Sequence, residues 1–183
     1  FFKNQFQWVA DMENIPQDKI HHTEGNVAVH TQMVLDELEK SELYQSLPQE
    51  TKEILWASAL LHDVEKRSTS KDEGYGRVSA HGHARRGEYT ARTILFKDIP
   101  TPFHVREHIA SLVRFHGLPL WIMEKLEPAK KIHEASLRLN TEYLKILAEA
   151  DVKGRTCQEV GHLLDSLELF ECKYSNSNKQ NAF

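Results

Sequence analysis

Cysteine is scarce in this sequence, and long apolar runs are missing from it. Cys157 and Cys172 are the only cysteines among 183 residues, so we expect no disulfide framework and a reducing, cytoplasmic location. No run of about 18 apolar residues occurs, which argues against a transmembrane helix. No secretory signal pattern opens the chain. Because it begins at Phe1 rather than Met, we expect it to be a segment of a longer protein.

Positive charge is not in excess either. The formal net charge is −4, which argues against a protein that coats nucleic acid along its length. A protein that grips one nucleic-acid end locally is not excluded by this balance. The P-loop pattern G-x-x-x-x-G-K-[ST] is absent, so the sequence contains no P-loop nucleotide-binding site of that kind.

Strand patterns are also missing, and the apolar spacing is helical throughout. Val27, Val34 and Leu38 would share one face of a helix that begins after an Asn26 cap. The sequence therefore predicts an all-α helical bundle over residues 1–172, followed by a polar tail or linker over 173–183. Residues 66–82 are charged and glycine-containing, which predicts a loop that is either a functional lid or disordered.

Histidine is abundant, with 11 residues, and several lie at marked positions in the helical pattern. His62 and Asp63 follow the apolar run that ends at Leu61, and His30 points inward among apolar neighbours. Other histidines and a carboxylate fall near predicted helix ends. The full set of inward ionisable residues is His30, His62, Asp63, His83, His116 and Asp151.

These residue types suit a divalent transition metal better than calcium or magnesium alone. Burial of unpaired charges is costly, whereas burial of several around a cation is favourable. The alternative is a set of separate core histidines that bond to nearby carbonyls. Lys66 and Arg155 lie about one turn beyond Asp63 and Asp151, where they could bind phosphate oxygens or simply stabilise helix C-termini.

The order of these residues carries a family resemblance. His30, then His62-Asp63, then Asp151 resembles the HD-domain metal-dependent phosphohydrolases, an all-helical family in which such residues hold the metal. The chain is more similar to the HD domain of bacterial tRNA nucleotidyltransferases. The motifs that carry this similarity are His22-Thr23-Glu24, His30-Thr31, His62-Asp63-x-x-Lys66, His81-Gly82-His83 and Ala150 to Thr156. Glu65 departs from that pattern, since those relatives usually have glycine there.

The chain is still more similar to the HD half of bacterial bifunctional RNA-end-repair enzymes, in which an HD phosphohydrolase is fused to a P-loop polynucleotide kinase. The stretches 61–69, 93–102 and 115–119 carry this resemblance. Any fused kinase would lie outside this chain. The resemblance implies hydrolysis of 2′,3′-cyclic phosphate and 2′-phosphate on RNA ends, assisted by Ni²⁺, Co²⁺ or Mn²⁺, with Mg²⁺ or Zn²⁺ also possible.

The resemblance also implies roles for individual residues. His30, His62, Asp63 and Asp151 would be metal ligands, and His83 and His116 would serve a second metal or the phosphoryl group. Asp63, Lys66 and Arg155 would be catalytic, and His22, Lys66 and Arg155 would contact the substrate. The alternatives are an HD-type nucleotidase, a cyclic-nucleotide phosphodiesterase, or a non-catalytic RNA-docking or regulatory module.

Overall fold

The computed structural model describes residues 2–156 and 160–180, with side chains over 4–156 and 160–173. Helices dominate, as the sequence predicts. They are α1 (Phe2–Gln5), α2 (Gln7–Asp11), α3 (Val27–Lys40), α4 (Glu42–Gln45), α5 (Gln49–Leu61), α6 (Lys66–Thr69), α7 (His83–Lys97), α8 (Phe103–Phe115), α9 (Pro128–Ser136), α10 (Thr141–Lys153) and α11 (Val160–Gln180). Short 3-10 turns cover Met12–Asn14 and Ile122–Glu124. The expectation of an all-α bundle is confirmed.

The core lies where α3, α5, α8 and α10 pack against one another. Val34 and Leu38 of α3 and Leu144 and Leu147 of α10 are completely buried. Their spacing of three or four residues puts each pair on one face of its helix, and that face is the one that avoids water. The predicted N-cap Asn26 is present, since its side chain accepts a hydrogen bond from the first turn of α3. Asparagine is also favoured before Thr141, and the side chain of Asn140 caps α10 in the same way.

Gly154 allows α10 to end directly against α3. A Cβ atom at this position would lie 2.8 Å from the backbone nitrogen of Val34 and 2.9 Å from its Cα. Those neighbours are backbone atoms and cannot move independently of the helix. The absence of a side chain therefore sets how closely the end of α10, which carries Asp151, approaches the middle of α3, which carries His30.

The expectation that residues 66–82 form only a loop is wrong. They contain α6 and an antiparallel hairpin of β1 (Lys71–Gly74) and β2 (Arg77–Ser79), in which Asp72 pairs with Val78. Tyr75 adopts a positive φ of 53°, between two glycines that also have positive φ. The strands are short, charged and mostly exposed, so they lack the apolar alternation that makes a strand visible in sequence.

Asp18 anchors this hairpin to the segment before α3. Its carboxylate accepts hydrogen bonds from the Val78 amide and the Arg77 Nε, each at 3.0 Å. It also accepts from the amides of Ile20 and His21, at 2.9 and 3.3 Å. The hairpin is thus held by a residue about sixty positions earlier, and its own side chains contribute little burial.

Several predicted boundaries shift. The apolar pattern predicts a helix over about residues 51–64, but α5 ends at Leu61, so that His62 and Asp63 lie just beyond it. The last helix runs on to Gln180 through the segment expected to be a polar tail, and the division into a 1–172 domain and a 173–183 tail stays a prediction. Within the described part of the chain, no helix combines the length and apolar character needed to cross a membrane.

Substitution of Gly154 by alanine should separate α10 from α3. The new methyl group must displace the Val34 backbone, so we expect a loss of about 1–3 kcal/mol in the free energy of unfolding and weaker metal binding. Gly161→Ala is the matched control, because nothing lies within 4 Å of its Cβ position. That change should be neutral or stabilise by up to about 1 kcal/mol. Equal urea midpoints for the two variants would contradict the close-contact role.

Removal of the Asp18 carboxylate should destabilise the protein in a pH-dependent way. Burial alone would raise the pKa of Asp18, but the hydrogen bonds from Val78, Ile20 and Arg77 outweigh it and lower that pKa from 3.8 to about 2. A depressed pKa contributes stability that is complete above the unfolded value and is lost as the pH falls towards the folded one. Asp18→Ala should therefore cost about 1–3 kcal/mol near neutrality and less at about pH 3.

Urea unfolding of wild type and Asp18→Ala at the two pH values measures this difference directly. Asp98→Ala, at an exposed aspartate, should change the free energy of unfolding by no more than about 0.5 kcal/mol at either pH. If the difference in the free energy of unfolding between wild type and Asp18→Ala grew as the pH fell, the role of the Asp18 carboxylate as the anchor of the hairpin would be contradicted.

Candidate metal centre

Helix ends from across the chain deliver the six predicted ionisable residues to one place. His30 lies on the buried face of α3, and Asp151 lies near the end of α10. The remaining four are His62 and Asp63 just after α5, His83 at the start of α7, and His116 just after α8. All are buried except His83, which is half-buried.

The first group consists of His30, His62 and Asp151, which each place one ligand atom within 4.8 Å of the others. Nε2 of His30 lies 3.1 Å from Asp151 Oδ1. Asp63 adjoins this group, because its Oδ2 lies 3.2 Å from His62 Nε2 and 3.8 Å from His30 Nε2. Two imidazoles and a carboxylate at these separations are a donor set that could hold a divalent transition metal.

The second group consists of Asp63, His83 and His116. Asp63 Oδ1 lies 3.4 Å from His83 Nε2 and 3.9 Å from His116 Nε2. The two Nε2 atoms are themselves 3.2 Å apart. Asp63 therefore presents one oxygen to each group, and its carboxylate lies where it could be shared between two cations.

The backbone fixes the direction in which three of the imidazoles point. Nδ1 of His62 donates to the Ala59 carbonyl at 2.7 Å. His83 and His116 make the same contact to the carbonyl three residues earlier, at 2.7 and 2.8 Å. Because the proton sits on Nδ1, Nε2 keeps a lone pair, and that lone pair faces the cluster.

Glu24 lies next to Nδ1 of His30, in the place that backbone carbonyls take for the other three histidines. Its Oε1 lies 3.0 Å from His30 Nδ1 and accepts a hydrogen bond from His22 Nδ1 at 2.8 Å. Its Oε2 accepts from the Thr156 amide at 3.1 Å. Sequence reasoning noticed Glu24 only as part of a motif and missed its function, since nothing in the pattern shows that it lies behind His30.

The alternative of separate core histidines accounts for Nδ1 in three of the four histidines, which donate to backbone carbonyls, but not for Nε2. The Nε2 atoms of His30 and His62 are buried, and neither has a hydrogen-bond partner of acceptable geometry among the described residues; the same holds for Nδ1 of His30, although Glu24 lies 3.0 Å away. Buried polar atoms without partners are rare and costly. The Nε2 atom of His30 lies 3.1 Å from an Asp151 oxygen, and that of His62 lies 3.2 Å from an Asp63 oxygen. A cation bound between these atoms would satisfy both Nε2 atoms, so the residues fit a metal.

The charge states also suit a metal. Burial lowers the pKa of His116 to about 3, helped by the nearby His62 and His83, and burial lowers the pKa of His83. Burial opposes ionisation of Asp63 and Asp151. Lys66 beside Asp63 and Arg155 beside Asp151, each together with the neighbouring imidazoles, outweigh burial and hold both pKa values well below the usual range. The pKa of His62 is raised, because Asp63 overcomes the effect of burial. A raised pKa means that His62 holds a proton more readily beside Asp63, and a bound metal would take the place of that proton.

Lys66 lies beside the cluster, as its sequence position suggested. Its Nζ is 2.8 Å from Asp63 Oδ2, and it also donates to the side chain of Gln17. An ammonium group has three donors, so two are committed within the protein. Gln17 was not anticipated, because it lies 49 residues away in a segment without a pattern.

Arg155 lines the cavity described below and also makes a contact that neither expectation included. Its Nε and Nη2 bind both oxygens of Asp151, at 2.9 and 2.7 Å. This bidentate pair fixes the orientation of the Asp151 carboxylate. Direct contact of Arg155 with phosphate stays a prediction.

His22 lies beside His30, and Glu65 follows Asp63 by two residues. The His22 ring lies 4.6 Å from that of His30, at the rim of the cavity described below, and its expected contact with substrate stays a prediction. Glu65 has a φ of −94°, which any residue adopts, so glycine is not required there. Its carboxylate accepts from Thr90 and Ser68 and thereby ties α6 to α7.

A cavity of about 900 Å³ opens above the cluster. Asp63, His83 and His116 line it together with Lys66. Its lining also includes the hairpin and the segment around Asp18, the stretch from Phe115 to Trp121 and part of α9. The candidate metal centre is therefore open to a ligand on the side of the second group.

The two histidines of the His81-Gly82-His83 motif should differ in metal binding. His83→Ala removes an Nε2 that faces Asp63, so we expect less bound metal per chain, whereas the exposed His81 should be replaceable by alanine without loss. Asp63→Ala should be the most severe change, because it removes one oxygen of the second group and another that adjoins the first. Its loss should exceed the roughly 10- to 100-fold in affinity that outer partners of a metal ligand are worth.

Elemental analysis after equilibration with Ni²⁺, Co²⁺ or Mn²⁺ measures the metal, and far-ultraviolet circular dichroism checks that each variant folds. Full metal in His83→Ala with loss in His81→Ala would reverse the assignment. Full metal in Asp63→Ala would show that the site lies elsewhere.

Comparison with known proteins agrees with this geometry. A search of curated proteins finds no match to the chain. A family model described as HD domain matches residues 21–154, which include every residue of both groups and most of the chain. HD domains are in general metal-dependent phosphohydrolases. With its helical bundle and its buried histidine–aspartate cluster, the chain belongs to the HD domain family.

Proposed function

We propose that this protein hydrolyses 2′,3′-cyclic phosphate and 2′-phosphate groups at RNA ends. The observation that carries the proposal is the convergence of six ligand-type side chains around Asp63, which lines a cavity together with Lys66. Membership in the HD domain family supports metal-dependent phosphohydrolysis. The choice of RNA ends rests on the motifs at His22–Glu24, His62–Lys66 and Ala150–Thr156, which resemble those of RNA-end-processing HD enzymes.

The proposed ligands of one divalent ion are His30, His62, Asp63 and Asp151, and Asp63, His83 and His116 would hold a second. The imidazole-rich donor set favours Ni²⁺, Co²⁺ or Mn²⁺, while Mg²⁺ and Zn²⁺ remain alternatives. When bound, such an ion supplies Lewis-acid polarisation of the phosphoryl group and activation of water. Glu24 and the three backbone carbonyls keep the imidazoles aimed at it.

Lys66 has the position required to hold the phosphate. Its ammonium group is fixed by Asp63 and Gln17 and lines the cavity. Its third donor can bind a non-bridging phosphate oxygen, and the charge there offsets the negative charge that builds up during attack. Arg155 contributes by keeping Asp151 oriented.

A vicinal cyclic phosphate suits this arrangement. Water adds to phosphorus while the bond to the ribose 3′ oxygen breaks, and that oxygen takes up a proton to leave a 2′-phosphate. A second water then displaces the 2′ oxygen and releases inorganic phosphate. Both steps keep the phosphoryl group at one place, so that one site can serve the diester and the monoester.

The substrate preference tests this proposal. Phosphate release from 2′,3′-cyclic AMP, 2′-AMP, 3′-AMP and 5′-AMP is measured with each added metal. We expect 2′,3′-cyclic AMP and 2′-AMP to be turned over at least about tenfold more efficiently than 5′-AMP, a difference of about 1.4 kcal/mol. Lys66→Ala should lower turnover, whereas Lys71→Ala, on the exposed hairpin edge, should not.

Other outcomes identify the alternatives. Preference for 5′-AMP would indicate a nucleotidase, and preference for a 3′,5′-cyclic nucleotide would indicate a cyclic-nucleotide phosphodiesterase. Metal binding without turnover of any substrate would indicate an RNA-docking or regulatory module. A cytoplasmic location and a fused P-loop kinase outside this chain are parts of the same proposal.

A further inference from the structure

The cavity has more lining than the metal cluster provides. Its volume, about 900 Å³, is near the upper end of the roughly 300–1,000 Å³ that small-molecule sites span. Asp63, His83 and His116 make up one part of the lining. Another part consists of Trp121, Lys125 and Lys131, none of which contributes to either group of candidate metal ligands.

Two aromatic side chains are part of the cavity lining. Trp121 is half-buried, and its ring makes a T-shaped contact with that of His21, with centroids 6.1 Å apart. Tyr75 lies at the tip of the hairpin, fully exposed and in a left-handed backbone conformation. Aromatic side chains that line a cavity are suited to stack on flat ligands such as nucleobases.

Cations outnumber carboxylates along the cavity. The lining includes six lysine or arginine side chains and four aspartate or glutamate side chains, whereas the whole chain has a net charge of −4. The lining thus has two more cations than carboxylates, although several of the cations are paired, for example Lys131 with Glu134 and Arg155 with Asp151. Concentrated positive charge in a cleft draws in anions, and phosphodiesters are the anions that would follow a terminal nucleotide.

Trp121 follows a candidate metal ligand closely along the chain. His116, in the second group, is followed by a tight turn in which the Trp121 amide donates to the Gly117 carbonyl at 3.3 Å. His116 and Trp121 therefore lie about one turn apart and line the same cavity. The nucleotides that precede a terminal phosphate bound at the cluster would come within reach of Trp121.

We propose that the part of the cavity lined by Trp121, Lys125 and Lys131 is a subsite for the nucleotides that precede the terminal phosphate. A base would stack on Trp121, and the two lysines would hold a phosphodiester. The inference rests on the proposed function, because that function sets the direction of the RNA strand, with its terminal phosphate at the metal cluster. It deepens that function, since it makes single-stranded RNA of two or more nucleotides the preferred substrate class over a mononucleotide.

Binding, rather than hydrolysis, tests this subsite. The probe is a fluorescein-labelled pentanucleotide RNA with a 3′-hydroxyl, titrated with the full chain and read by anisotropy. Trp121→Leu should raise Kd roughly 5- to 150-fold, the range that one stacked base is worth, and Trp121→Phe should restore most of the affinity. If both variants bind the pentanucleotide more weakly than wild type, and Trp121→Phe binds it no more tightly than Trp121→Leu, the stacking contact is overturned.

The two adjacent lysines of α9 provide a matched pair. Lys131 lines the cavity and pairs with Glu134 at 2.8 Å, whereas Lys130 lies outside it and pairs with Glu127 at 3.1 Å. Lys131→Ala should reduce the slope of log Kd against log salt by about 0.7, the value for one phosphate contact on a single strand. Lys130→Ala should leave the slope unchanged. Equal slopes in the two variants would overturn the phosphate contact.

The mononucleotide assay separates this inference from the proposed function. Turnover of 2′-AMP combined with no tighter binding of the pentanucleotide than of 2′-AMP would overturn the subsite and leave the function standing. Trp121-dependent binding of RNA without turnover of 2′-AMP would support the subsite and remove the proposed reaction.

Discussion

The position of the Asp63 carboxylate between two sets of imidazoles is the constraint on which the rest of the centre depends. Each oxygen faces a different set, at 3.2–3.9 Å. Such a buried anion is costly unless cations surround it. Lys66 supplies one of them permanently, at 2.8 Å, and bound metal would supply the others. α5 ends at Leu61, so His62 and Asp63 lie just beyond it, and their side chains meet at 3.2 Å within the cluster.

Much of this could be predicted from sequence, because the apolar periodicity is strong. The spacing around Val34 and Leu38 gives α3 and the inward direction of His30, and Asn26 and Asn140 give two helix starts. The family also follows from sequence, since the spacing of the His-Asp pair and its partners is distinctive. The RNA-end-repair branch and the individual ligand roles remain predictions.

The rest depends on contacts that local pattern cannot reveal. The hairpin over residues 71–79 carries little apolar signal and is held by Asp18 through long-range hydrogen bonds. Glu24 reads as part of a polar turn, and only the fold places it behind His30. Arg155 was assigned to phosphate or to a helix end, whereas it binds both oxygens of Asp151.

The link between the start and the end of the domain has a consequence for how the protein is made. Thr23 donates through its amide to the Thr156 carbonyl at 3.0 Å, and Thr156 donates back to Glu24. His30 and Asp151, in the same metal group, are separated by most of the matched region. A chain emerging from the ribosome therefore cannot complete the first group until α10 has been synthesised and has left the exit tunnel. Metal capture by that group is coupled to the slow, long-range closure of the bundle and follows the formation of the individual helices.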